Sequence, residues 1–169
     1  SVSALLRWWR RVERQLGPAS SARAILDVAV LPLFELLGYE PLRVERCADG
    51  FAGTVGRGGR ALAAFRSTLW NADTAGAWRD TIRAGRTALV PWGFACNGPR
   101  FRLVDASRAW SRRALEFDFA TLLSDPRSAA AFSVLASSGA LLEHAGANAL
   151  AAVIARADSH GVTVCASLG

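Results

Sequence analysis

The sequence has no lysine and no methionine; all 20 of its basic residues are arginine. Without a lysine amine there is no Schiff base, no phosphate-loop lysine and no lysine of a metal-dependent nuclease. Arginine cannot stand in as a titrating base, because its guanidinium stays protonated. Cysteine is scarce: Cys47, Cys96 and Cys165 lie far apart in mostly apolar company. They form no Cys-x-x-Cys pair, and His144 and His160 stand at no zinc-ligand spacing from them. Buried free thiols in a cytoplasmic protein are the expectation. Long apolar runs are missing too. The longest, Val28 to Leu37, contains Pro32 and Glu35 and falls short of the roughly 18–20 uncharged residues of a membrane span. Trp8, Trp9 and four arginines rule out a signal peptide in the first twenty positions. Starting at Ser1 with no Met, the chain reads as a processed or cut piece of something larger.

What is present points to a soluble, folded domain. The 169 residues are 51% hydrophobic and 20% charged, which excludes a disordered tail. A chain this long buries roughly 70% of its unfolded surface and needs no metal or disulfide staple. Twenty basic against 14 acidic residues leave a formal charge of +6. That balance suggests a polyanionic partner, although a GC-rich genome also favours arginine and alanine.

Residues 3–16 read as an amphipathic helix, with Leu5, Trp8, Trp9, Val12 and Leu16 on one side and Arg7, Arg10, Arg11 and Arg14 on the other. Gly17-Pro18 stops it. Ser20 or Ser21 caps a second helix, apolar on most faces, kinked at Pro32 and closed by Gly38. From Pro41 the period changes towards two. Leu42 to Cys47, Phe51 to Val55 and Arg60 to Leu69 read as strands, with a turn at Asp49-Gly50 and a Gly56–Gly59 hairpin loop. Asp73 or Thr74 caps a helix to about Ala88. Trp92 to Cys96 and Phe101 to Val104 form a hairpin about Asn97-Gly98, and Ala114 to Phe119 alternates as a last strand with Phe119 inward. Asp125-Pro126 opens the helices that follow, and 139–168 is Ala-rich and helical. The order predicts an α/β (α+β) fold, a single mixed sheet flanked by helices with a C-terminal helical segment.

Few motifs carry chemistry. Gly56 to Ala61 fits a loose G-x-G-x-x-A, but a strand and not a helix follows, so a hairpin turn is expected. No G-x-S-x-G occurs, and neither histidine has a nucleophile partner. Asp49, Asp73 and Asp80 could bind a divalent metal; each also reads as an ordinary turn, cap or helix-surface residue. Between Arg100 and Arg113 five arginines (Arg100, Arg102, Arg108, Arg112, Arg113) face one acid, Asp105, beside Trp110. That stretch reads either as a phosphate-contact surface or as a solvated face paired to Glu116 and Asp118. The Arg7 to Arg14 face is similar, with membrane-surface or partner-helix docking as further options.

Three stretches carry a resemblance: SARAILDVAVLPLFELLGYE (Ser21 to Glu40), PWGFACNGPRFRLVDASRAWSRRALEFDF (Pro91 to Phe119) and VIARADSHGVTVCASL (Val153 to Leu168). The second is similar to a W-G…N-G…R-L…D pattern followed by E-F-D. Together they resemble the N-terminal region of type IIG-like restriction–modification proteins and related adenine-N6 DNA methyltransferases. The resemblance implies a PD-(D/E)XK-nuclease-like, restriction-endonuclease-like domain: a helix, a three-strand meander carrying Asp and then Glu-x-Lys, a helix and further strands. It divides the chain into an N-terminal helix (1–18), the nuclease-like domain (19–120) and a helical segment (121–169) leading to a missing methyltransferase.

The nuclease slot is degenerate. The strand expected to hold the metal-binding Asp is Phe51 to Val55, with Gly53 at its centre and no acid. The Glu-x-Lys slot falls on Ala64-Phe65-Arg66. The expected function is therefore a catalytically inactive domain that holds double-stranded DNA, through Arg66 and the 100–113 arginines, or packs against the covalently linked methyltransferase. No cofactor is expected in this part; S-adenosylmethionine would belong to the missing domain. Two alternatives remain: a divergent magnesium endonuclease using Asp49, Asp73 or Asp80, and a protein-interaction module without DNA affinity.

Overall fold

The computed structural model describes residues 1–107 and 114–142. Helix α1 spans Val2–Gln15 and buries the predicted stripe of Leu5, Trp8, Trp9 and Val12. The Trp8 indole N–H donates to the Ala29 carbonyl at 2.9 Å, so its one polar atom is satisfied inside the core.

A second helical run comprises α2 (Ala22–Ile25), a π-helical turn (Leu26–Val30) and α3 (Leu31–Leu36). Ser21 caps it, its hydroxyl accepting the Ala24 N–H at 3.2 Å. The distortion expected at Pro32 takes the form of the π turn just ahead of it. There the Leu31 N–H reaches back five residues to the Leu26 carbonyl. The wider turn makes room for a proline ring that would otherwise press on the Val28 carbonyl. Gly38, at φ +85°, ends the run. Its N–H bonds the Glu35 carbonyl and the Tyr39 N–H bonds the Phe34 carbonyl. Phe34 and Tyr39, with ring centroids 6.2 Å apart, supply the hydrophobic contact of that cap.

Six strands form one sheet in sequence order: β1 (Glu40–Cys47), β2 (Gly50–Arg57), β3 (Arg60–Thr68), β4 (Trp92–Cys96), β5 (Arg100–Asp105) and β6 (Ala114–Asp118). Neighbours are antiparallel except β3 and β4. That parallel pair needs a crossover, and α4 (Thr74–Thr87) supplies it. The fold is α/β, a single mixed sheet flanked by helices, as the order of elements predicts.

Several boundaries differ from the periodicity by one or two residues, and two of them have a local cause. Strand β2 runs through Gly56 and Arg57, so only Gly58 and Gly59, at φ +58° and +75°, make the turn. Strand β6 stops before Phe119, which begins α5 (Phe119–Leu122) because the Asp118 carboxylate caps it, accepting from the Thr121 N–H at 3.1 Å. Phe119 is buried all the same. At the Asn97-Gly98 turn the Asn97 side chain accepts the Arg100 N–H at 2.9 Å and donates to the Ala72 carbonyl at 2.6 Å. Gly98 is required: a Cβ there would sit 2.5 Å from the Trp70 ring.

One face of the sheet carries the large core. Phe65, Phe94 and Phe101 from the strands meet Phe34, Phe119 and Phe132 from the helices, all six below 2% exposed. The same cluster takes in Trp8 and Trp9 of α1, Phe132 of α6 (Pro126–Leu135) and Leu141 of α7 (Ser138–Leu141). The boundaries expected near residues 18 and 120 therefore do not divide this core. The rest of the predicted C-terminal helical segment lies outside the described residues. On the opposite face α4 covers β3 to β5, with Ile82 against Val104 and Ala106. No helix among the described residues is long and apolar enough to cross a membrane.

Asp125 caps α6, accepting the Ser128 hydroxyl and the Ser128 and Arg127 N–H groups. These bonds, the Ser128 hydroxyl first, hold its carboxyl below the ordinary value of 3.8. A depressed folded-state value means the contribution is complete above the ordinary value and is lost as pH falls from there through the lower folded-state value. The melting temperature of an Asp125→Asn variant, which cannot titrate, is expected to converge on that of the wild type as pH drops below 3.8. Thermal melts from pH 6 to pH 3 check this; a gap constant across the series would remove the carboxylate from the account.

Candidate functional site

The α4 side of the sheet carries a straight cross-strand row. Glu45, Ala52, Arg66, Ala95, Arg102 and Glu116 stand opposite one another in register, one from each strand. Small residues at 52 and 95 flank Arg66, and Ala95 separates it from Arg102. Sheet parity produces this row, since residues directly opposite share a face.

Arg66 is its centre. Its side chain is 15% exposed, bonds the Asp49 carboxylate in the β1–β2 turn, and lies 3.9 Å from Asp80 on α4. Asp80 is also paired to Arg83 at 3.2 Å. The buried Arg66 Nε has no hydrogen-bond partner. Further along the row Arg102 reaches Glu116 at 3.3 Å, too poorly aligned at Nε to count as a hydrogen bond. Arg100 lies 3.9 Å from both Glu116 and Asp118. Of the two readings of the 100–113 arginines, the ion-paired one describes Arg100 and Arg102. Arg108, Arg112 and Arg113 fall outside the described residues.

The degenerate slot splits across the sheet. Ala64 and Arg66 share the α4 face, but Gly53 pairs with Phe65 and belongs to the core face. The cause is a bulge. Gly56 opposes Ala61 whereas Val55 opposes Ala63, so Leu62 is an extra residue on β3. One extra residue moves every later pairing by one and turns each side chain to the other face. Without it Gly53 would face Ala64. Ala52 and Thr54, and not Gly53, stand on the Arg66 face of β2.

Magnesium does not fit this constellation. Between Asp49 and Asp80 stands the Arg66 guanidinium, a fixed cation where a metal would have to enter. Asp73 stands at the foot of α4, directly before Thr74. Among the described residues no three His, Cys, Asp or Glu side chains converge as a ligand set. Nor does Cys96 offer a nucleophile, because full burial pushes its thiol far up from the usual range.

The α1 arginines are different. Arg7, Arg10, Arg11 and Arg14 are all exposed. Among the described residues none of them forms an ion pair; Arg11 bonds only Gln15 and Arg14 only the Arg10 carbonyl.

The Asp49–Arg66–Asp80 contact has no signature in the sequence. Its members lie in a turn, a strand and a helix, and only the registers and the crossover bring them together.

Fold and site together define an α/β domain with an aromatic core on one sheet face and an arginine–carboxylate row on the other. Compared with protein families, with curated proteins and with solved structures, the chain matches none of them.

Proposed function

We propose that this chain is a nuclease-like domain that does not cut, and that holds the phosphate backbone of double-stranded DNA within a restriction–modification or phage-defence protein. The methyltransferase of that protein would lie in a covalently linked domain with its own S-adenosylmethionine. The observation that carries the reading is Arg66, which stands in the lysine slot with both nearby carboxylates engaged on it. A general base or metal-ordering lysine is replaced there by a permanently charged group already held by carboxylates, so proton transfer and metal capture are both lost, and attraction for phosphate is left to the chain's formal charge of +6. The order of elements, a helical run, a three-strand meander, a crossover helix and further strands, agrees with what the resemblance implies.

Anisotropy of a labelled duplex across a salt series tests it, with the same samples run on a gel in magnesium. Log affinity is expected to fall linearly with log salt while the DNA stays intact, because arginines on phosphate release counterions. Nicking that EDTA abolishes would restore the endonuclease reading. No binding at low salt would leave a protein-interaction module.

A further inference from the structure

We infer that the phosphate-contacting surface is the outer face of α1, with Arg7, Arg10, Arg11 and Arg14, and not the sheet arginines. This rests on the DNA-holding reading above and locates it.

Charge is divided unequally between the two surfaces. On the sheet, Arg66, Arg100 and Arg102 each have a carboxylate within 4 Å. An arriving phosphate would have to displace those carboxylates or sit beside them. Helix α1 carries four arginines against one acid, Glu13, a local +3 that is half of the chain's formal +6. Arg7–Arg10, Arg7–Arg11, Arg10–Arg14 and Arg11–Arg14 are all at i,i+3 or i,i+4 spacing, where like charges weaken a helix. A polyanion laid along that face offsets the repulsion of all four pairs at once. Arg7, Arg10 and Arg14 also line one shallow depression of about 540 Å³ with Glu13.

The inner face of the helix decides between partners. A membrane-surface helix has to put its apolar side into lipid, and a docking helix has to put it against a partner. Here Leu5, Trp8, Trp9 and Val12 are at most 7% exposed, inside the domain's own core. Trp8 packs edge-on to Phe119 at 4.8 Å, and its N–H is committed to Ala29. Among the described residues only the arginine face of α1 is left uncovered, on a helix whose orientation the core fixes. Such a surface reads backbone charge and carries no sequence specificity.

The test uses the whole chain and a short labelled duplex. One variant replaces Arg7, Arg10, Arg11 and Arg14 by Gln, which has similar helix propensity; a second replaces all four by Lys. Two further variants carry Arg100→Gln with Arg102→Gln, and Arg108→Gln with Arg112→Gln and Arg113→Gln. Far-UV circular dichroism and melting confirm that each is folded. The Gln variant of α1 is expected to lose at least about tenfold in affinity at low salt. Its log–log salt slope is expected to flatten by about three to four units, roughly one per lost phosphate contact. The Lys variant is expected to keep most of both, and the Arg100/Arg102 variant to bind as wild type does. If wild-type binding persists in the α1 Gln variant and disappears in the Arg100/Arg102 or the Arg108/Arg112/Arg113 variant, the location is overturned while the DNA-holding reading stands. If the wild type fails to bind duplex but binds anionic phosphatidylserine vesicles, both are overturned.

Discussion

Replacing Phe34 by alanine is expected to destabilise the domain by about 3–5 kcal/mol. Phe34 is completely buried on α3 and stands where the helical layer meets the sheet. Its ring lies 5.2 Å from that of Phe65 on β3 and 5.7 Å from that of Phe94 on β4, with Tyr39 at 6.2 Å. The Tyr39 hydroxyl is committed to the Ala136 carbonyl at 3.0 Å, so that ring cannot move in to fill the gap. Removal leaves a cavity that collapses poorly, which places the cost at the upper part of the range. For a chain of this length the melting temperature is expected to fall by on the order of 10 °C. Urea unfolding with Phe34→Leu as companion checks the cause. Leu keeps most of the volume and is expected to cost under about 1.5 kcal/mol. Equal losses for Ala and Leu would mean that the aromatic contacts and not the cavity carry the effect.

Placing an acid at Gly53, where the proposed nuclease-like reading would put one, is expected to damage the fold without creating a metal site. A Cβ on Gly53 would run into the Arg43 carbonyl oxygen of β1 and sit 2.8 Å from the Phe65 ring. The backbone oxygen cannot turn aside without breaking the β1–β2 pairing, and the new carboxylate would point into the aromatic core with no partner. Gly53→Asp is expected to cost about 3 kcal/mol or more in chemical denaturation. Ala52→Asp, one residue away, is expected to cost under about 1 kcal/mol, because Ala52 is half-buried and stands opposite Arg66. The pair measures the register directly. Equal tolerance at 52 and 53 would show that the Leu62 bulge does not set the pairing in solution.

Much of the architecture is legible in the amino-acid sequence. A 3.6-residue apolar period marks α1, the serine and glycine at its two ends mark the run from Ser21 to Gly38, and Asn97-Gly98 marks the β4–β5 hairpin. These signals are local, and the core is consistent with each of them. Sequence and structure part where a local preference meets a longer-range demand. Phe119 continues the strand alternation, yet Asp118 caps a helix there; either environment buries the ring, so hydrophobicity alone cannot choose. Pro32 announces a distortion but not its form, since a kink and a π turn both relieve the same clash.

The arginine site divides in the same way. Composition fixes how many arginines there are and that no lysine accompanies them, and helical spacing gives α1 one apolar and one basic side. Neither depends on anything far away in the chain. Which arginines are free to meet an anion is a matter of tertiary contacts. Carboxylates on a turn, a helix and a neighbouring strand, distant in sequence, come to Arg66, Arg100 and Arg102 through the sheet register and the α4 crossover. The burial of Trp8 and Trp9 leaves the α1 arginines facing outward. The one-residue bulge at Leu62 acts at the same level: it changes no composition and no period, yet it sets which β3 residue each β2 residue from Gly50 to Val55 shares a face with.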